Sequence, residues 1–200
     1  YSETLWILLP CSLVISFVQI ITSYDKVQVK KKAIFFTIPI MLVCLTFVVR
    51  YSLEVDISKI IGFFLIFIGI IKFSPRAQQL LKYFIEKKLN FYYMFIGFVH
   101  GVSNMGGGPL SVLMSTIYSD KVIIRANTAF IYLVFATFQL TILYIINPSG
   151  LSNIEPLLIF IVLLVYFVGN RYFANKINDK KYILIINLLI LVYGILALTK

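Results

Sequence analysis

Residues 91–117, FYYMFIGFVHGVSNMGGGPLSVLMSTI, restrict the fold of this chain more than any other stretch. The segment is long and apolar enough to cross a bilayer, yet three consecutive glycines and a proline stand at its middle. Glycine and proline are the poorest helix formers, and non-helical backbone at membrane depth survives only where protein buries it or where it lines a cavity. The stretch is therefore expected to be either a kinked crossing or a pair of half-helices that enters and returns on one side.

Six further apolar segments surround it: Leu5–Thr22, Ala33–Val49, Ile57–Phe73, Ala126–Ile146, Pro156–Gly169 with its flanks, and Tyr182–Leu198. Most approach the roughly twenty residues that a spanning helix needs. The 200-residue chain is 60% hydrophobic and 13% charged, against about 45–50% and about 25% in soluble domains. The expected fold class is all-α, a polytopic transmembrane helix bundle partnered by the lipid bilayer. The net charge of +10 lies in short loops between apolar segments rather than on a basic face interleaved with aromatics. It gives no support to nucleic-acid binding and reads as topology, because positively charged loops stay in the cytoplasm.

Loop charge also decides between the two forms of residues 91–117. The loop bearing Lys26, Lys30, Lys31 and Lys32 is placed inside. The loop where Arg50 faces Glu54 and Asp56 is placed outside, and the one bearing Arg76, Lys82, Lys87 and Lys88 inside again. A single crossing by 91–117 would put Lys121, Arg125, Arg171, Lys176, Lys180 and Lys181 outside, against the rule. A return to the same side puts all of them inside and leaves only the uncharged NPSGLSN outside. The re-entrant reading follows. Gly106, Gly107 and Gly108 are expected to supply backbone conformations closed to other residues, and Pro109 suits the first turn of the second half-helix. Simple close packing is the competing account of the triple glycine, as it is for the GxxxG pair Gly97 and Gly101.

The chain repeats itself. SETLWILLPCSLVISF is similar to ANTAFIYLVFATFQLT, with Thr4 opposite Thr128, and a second pair of stretches places Arg50 opposite Arg171 and Gly69 opposite Gly194. Three crossings per unit, an odd number, require the copies to be inverted, an arrangement typical of secondary transporters. The expected organisation is a single membrane domain: residues 1–74 a first repeat, 75–90 a cytoplasmic linker, and 91–200 a second repeat. The second unit opens on the glycine-rich element and the first has no counterpart, so a matching element is expected ahead of Tyr1.

The stretch GFVHGVSNMGGGPLSVLMSTIYSDKVIIRANTAFIYLVFA resembles the second signature of the sulfite exporter TauE/SafE family: a glycine-rich entry, a triple glycine, a proline-containing helix, a short turn and a further helix. The closing GNRYFANKINDKKYILIINLLILVYGILAL is similar to the last pair of spans in that family. Asn104 and Met105 depart from it by standing before Gly106, and His100 is unusually polar. The resemblance implies a bacterial cytoplasmic-membrane permease for a small anion, either a sulfur-containing oxyanion or an organosulfonate.

An anion carrier needs donors that do not trap. Backbone N–H groups at the head of the second half-helix point toward the break and carry partial positive charge, and Gly106, Gly107 and Gly108 allow close approach. Ser103, Asn104 and Ser111 add side-chain donors, and Arg125, Asn127 and Thr128 follow at the head of the next span. Arg125 offers a planar fork for an oxyanion, or else snorkels to headgroups. His100, the only histidine, is a candidate proton-coupling group, or else a neutral packed one. Gln139 and Asn187 are read as glue between helices. GGGPLS lacks the lysine of a phosphate-binding loop. One histidine and the dispersed Cys11 and Cys44 make no metal cluster, and no cofactor is implied. A membrane enzyme or assembly factor would need a catalytic pair within the spans, and none is visible; a passive anion channel is the remaining alternative.

Overall fold

A computed structural model of the chain describes residues 2–29, 31–53, 55–174 and 176–199. Lys30 and Glu54, counted above among the loop charges, lie outside the described residues, as do Tyr1, Asn175 and Lys200. The described residues form helices α1 (Ser2–Ser23), α2 (Lys31–Arg50), α3 (Ser58–Ile71), α4 (Pro75–Lys87), α5 (Leu89–Ser103), α6 (Gly107–Ile117), α7 (Lys121–Ile146), α8 (Pro156–Gly169) and α9 (Asp179–Leu198), with no strand among them. The protein is an all-α polytopic bundle. Four helices (α1, α2, α7 and α9) are long and apolar enough to span a bilayer. With 14 residues each, α3 and α8 reach only about 21 Å at 1.5 Å per residue. A π-helical turn, Asn170–Ala174, prolongs α8.

Residues 91–117 turn back, and contacts with two neighbours show it. A Cβ on Gly97 would overlap the carbonyl of Thr37, and one on Gly101 would lie 2.5 Å from the carbonyl oxygen of Met41. Rising residue numbers thus run the same way on both helices, and α5 lies parallel to α2. By Gly101 it has reached Cys44, 2.8 Å from the same built position, and α2 continues beyond Cys44 to Arg50, about 9 Å at 1.5 Å per residue. The hairpin tip therefore stops inside the bundle. The chain then runs back beside α3: Ser58 Oγ donates to Met105 Sδ at 3.6 Å, Gly108 packs on Leu65, and the Lys72 ammonium donates to Ser115. Lys72 is 4% exposed although charged. It pins the end of α6 to the end of α3, so the segment leaves on the side it entered.

The turn is not made as the glycines suggested. No glycine has positive φ; Asn104 takes the left-handed conformation, at φ 59°, which asparagine tolerates better than most residues. The glycines are needed instead for close approach. A Cβ on Gly106 would sit 2.6 Å from the His100 side chain, one on Gly107 would overlap the Tyr132 hydroxyl, and one on Gly108 would lie 2.7 Å from Leu65.

Elsewhere helices pair lengthwise. Trp6 of α1 meets Gly150, just beyond the end of α7, while Asn127 near the start of α7 bonds the loop after α1, so the two helices are antiparallel. Gly62 meets Gly194 and Leu198, and Gly69 meets Leu191, so α3 and α9 are antiparallel as well. The basic loops gather at one end, which we call the lysine-rich end. Lys121 joins α7 to the α8–α9 connection there, its backbone N–H donating to Asp179 Oδ1 at 3.2 Å and its ammonium to Ile177 O. The helix α7 begins at Lys121, capped by Asp120 Oδ1, which accepts from the N–H groups of Val122 and Ile123. Arg125, expected at the head of the span Ala126–Ile146, therefore stands in the second turn of a helix. The residue 75–90 linker is also largely helical: α4 starts on Pro75 and buries only Ile85. Helix α8 buries none of its side chains.

This arrangement predicts opposite labelling at two exposed serines. With Cys11 and Cys44 replaced by serine, a cysteine at Ser119 should react with a membrane-impermeant thiol reagent from the lysine-rich side and one at Ser149 from the other. Labelling of position 119 from the side opposite the lysine-rich one contradicts the hairpin, and labelling of both positions from one side contradicts a single crossing by α7.

Candidate functional site

The break between α5 and α6 carries a short polar relay. His100 is 2% exposed and Gln139 fully buried. His100 Nε2 donates to Gln139 Oε1 at 3.1 Å, and Gln139 Nε2 donates to Asn104 Oδ1 at 3.4 Å. The His100 ring stacks on Phe135 at 4.3 Å between centroids. Its Nδ1 is buried without a hydrogen-bond partner and faces Gly106, where a Cβ would lie 2.9 Å away. A buried polar atom without a partner is costly, and this one lies at the break itself. At the head of α6, Gly108 N–H donates to Met105 O at 3.3 Å and Leu110 N–H to Gly106 O at 2.9 Å. Pro109 has no N–H. The N–H groups of Gly106 and Gly107 make no backbone hydrogen bond among the described residues, so two donors face the break with the positive end of a helix dipole behind them.

Three cavities meet at Tyr132, whose hydroxyl lies against Gly107 at this break. The first, about 340 Å³, lies between α1, α6, α7 and α9. It is lined by Ser12, Ser16, Gln19, Ser111, Arg125, Thr128 and Tyr132, with Tyr182 and Ile186. The second, about 500 Å³, runs between α6, α7 and α9 along Asn104, Gly107, Gly108, Ser111, Tyr132 and Tyr193. The third, about 190 Å³, is lined by Leu8, Leu9, Ser12, His100, Asn104, Tyr132 and Gln139, with Phe135 and Ala136. Tyr132 borders all three; Ser111 borders the first and second, and Asn104 the second and third. Arg125 is the cation of the set. One of its N–H groups donates to Asn170 Oδ1 at 2.9 Å, which ties the end of α8 to α7, and the side chain lines the first cavity.

The residues picked from sequence divide into two sets. Asn104, Gly107, Gly108, Ser111, Arg125, Thr128 and His100 come together on connected cavity walls. Ser103 is occupied in the turn, its hydroxyl donating to Val99 O at 2.9 Å and accepting from Met105 N–H at 3.3 Å. The space beside Gly106 is filled by His100. Asn127 is fully buried and holds the loop after α1: its Oδ1 accepts from Gln28 N–H at 2.7 Å, and its Nδ2 donates to Ile123 O at 2.7 Å and Lys26 O at 3.4 Å. Gln139 joins helices as expected, whereas Asn187 is buried with its Oδ1 unpartnered. Tyr132 and Gln19 line the site without having been singled out for it. Tyr132 is one of 13 tyrosines, and nothing local in sequence marks it; only its place four residues after Thr128, one turn further along the same helix face, points to it.

A polytopic bundle with a helix broken at mid-depth, two unsatisfied backbone donors and a cationic cavity has the architecture of a membrane transport protein. The sulfite exporter TauE/SafE family model matches residues 3–197, and the chain belongs to that family. No curated protein and no solved structure matches it.

Proposed function

We propose that the protein is a permease that moves a small sulfur-containing oxyanion or organosulfonate across the bacterial cytoplasmic membrane by alternating access. The observation that carries this reading is that the Arg125 cavity adjoins, at Ser111, Tyr132 and Ile186, the cavity at the head of α6, where the Gly107 N–H group is free. Oxyanions bind such helix starts through backbone donors and the helix dipole. Neutral donors (Ser111, Thr128 and Asn104) complete the path without a deep electrostatic trap. The antiparallel pairing of α1 with α7 and of α3 with α9 is what two inverted units produce about an axis in the membrane plane, and rocking of one unit against the other would expose the break to each side in turn. In this reading His100 is the proton-coupling group, through its free Nδ1.

Proteoliposomes loaded with sulfite test the reading. Saturable flux with counterflow exchange is expected. Non-saturating conductance would make the protein a channel, and absence of flux for sulfite and for organosulfonates would reject the permease. Arg125→Gln is expected to raise the half-saturation concentration. A charge-assisted bond contributes about 1.5–3 kcal/mol, roughly ten- to a hundredfold in affinity. Asn170→Ala breaks the tether but keeps the cation, and should cost far less; equal losses would make Arg125 structural.

A further inference from the structure

The three cavities share one side chain, and its position is specific. The Tyr132 ring is edge-on to His100, at 6.2 Å and 72°, and to Phe135, at 6.4 Å and 82°. Its hydroxyl lies so close to Gly107 that a single added carbon there would overlap it, and it makes no hydrogen bond among the described residues. The ring borders both the Arg125 cavity and the His100 cavity, as does the much smaller Ser12, and its only polar atom lies at the head of α6. Beyond it, His100 Nδ1 is buried and unpartnered beside Gly106.

We propose that the Tyr132 hydroxyl is a ligand of the transported anion and that its ring is the gate between two successive anion positions, one at Arg125 and one at the break. The proposal rests on the permease reading above. The phenol oxygen stands beside Gly107, whose N–H makes no backbone hydrogen bond among the described residues. An oxyanion is a far stronger acceptor than a phenol, so an anion leaving Arg125 takes over the Gly107 donor and displaces the hydroxyl. The displaced phenol turns its own O–H toward the anion, an option that phenylalanine lacks. A tyrosine has two rotatable side-chain bonds, and its motion requires no rearrangement of α7. Displacement of the ring also joins the Arg125 cavity to that of His100, so opening requires the anion to be present.

Two variants separate the roles. Tyr132→Phe keeps the ring and removes the ligand: the half-saturation concentration for sulfite should rise about five- to thirtyfold, as for loss of one hydrogen bond of roughly 1–2 kcal/mol, without leak. Tyr132→Ala removes the gate: sulfite flux should become non-saturating. Unchanged half-saturation in Tyr132→Phe overturns the ligand role. A readout that needs no transport tests the gate by itself. With Cys11 and Cys44 replaced, a cysteine at Thr128 reports the Arg125 cavity and one at Ala136 the His100 cavity. From the lysine-rich side, an anionic methanethiosulfonate should label position 128 equally whether Tyr132 is kept or replaced by alanine. It should label position 136 at least tenfold faster in Tyr132→Ala. Equal rates at 136 in both backgrounds, with size-exclusion profiles intact, overturn the gate even if wild-type transport is confirmed. A large difference in those rates with no anion flux would uphold the gate and reject the permease.

Discussion

Gly107→Leu abolishes sulfite flux while the protein still inserts and elutes as a folded species: that is the expected result of placing a side chain at the head of α6. A Cβ at Gly107 overlaps the Tyr132 hydroxyl and comes within 3.3 Å of the ring carbon that bears it. The remaining leucine atoms have nowhere to go but the cavity bounded by Asn104, Gly108 and Ser111. Strain of this kind costs about 1–3 kcal/mol, too little to dismantle a bundle held by the α1–α7, α2–α5 and α3–α9 pairs. Loss of transport comes instead from covering the Gly107 donor and filling the space where the anion rests. Displacing a binding group by about 1 Å can cost on the order of 100-fold, so residual flux should be at or below one hundredth of wild type. Gly169→Leu is the matched control, because a Cβ there meets nothing within 4 Å, and it should transport normally. The strain can be read separately. Gly107→Ala should lower the melting temperature less in a Tyr132→Phe background, where the overlapping oxygen is gone, and the deficit measures the coupling. Wild-type flux in Gly107→Leu would show that the break is not the site.

How far the sequence led depended on the kind of force involved. Helix breaking and loop charge are local or additive, so the tip at Asn104–Gly108 and its return to the lysine-rich end could be read from Gly106, Gly107, Gly108, Pro109 and the placing of a few lysines. What the glycines do there could not. A left-handed turn and a close approach both ask for glycine, and only the fold shows that Asn104 makes the turn while the glycines admit His100, Tyr132 and Leu65. Side chains whose role depends on a distant partner were opaque for the same reason. Lys72 is a lone charge at the end of the apolar segment Ile57–Phe73, and nothing near it in sequence shows that it is buried on Ser115, 43 positions away. Asn127 reads as an anion ligand at the head of a span but binds the backbone of a loop 99 positions away. Helix α4 was hidden because its apolar residues, among them Leu80, Leu81, Phe84 and Ile85, stand among Arg76, Lys82, Glu86 and Lys87, and only Ile85 is buried. The exposure of α8 is informative in its own way. In the sequence repeat α8 stands where α2 stands in the first unit, and α2 buries six residues, largely along α5, whereas α8 has no such companion among the described residues. An amphipathic pattern never forms on a helix that is apolar all round, so nothing in PLLIFIVLLVYFVG announces which face would be covered.

The pairing of α2 with α5 holds the hairpin at its depth, and it rests on two missing side chains. At Gly97 an added carbon would meet the carbonyl oxygen, carbonyl carbon and Cα of Thr37. At Gly101 it would meet the carbonyl oxygen and Cα of Met41 at 2.5 and 3.0 Å, with the Cys44 Cβ at 2.8 Å. All of these except the Cys44 atom belong to backbone, which cannot rotate aside as a leucine tip can, so relief must come from moving a whole helix. Within a bilayer no hydrophobic force returns it, because lipid tails are as apolar as the helix surface and association depends on close packing. Gly97→Val is therefore expected to destabilise the protein by roughly 1–3 kcal/mol, a fall of roughly 2–12 °C in melting temperature for a chain of this size. Gly97→Val with Gly101→Val should largely prevent recovery of folded protein from detergent. Withdrawal of α5 also strands the His100–Gln139–Asn104 relay in an apolar setting, since His100 and Asn104 both ride on that hairpin. Partial loss should thus appear first as lost sulfite affinity and only then as lost fold. A Gly97→Val protein with wild-type melting and wild-type affinity would mean that α5 does not lie against α2, and the depth of the hairpin tip would have to be set by something else.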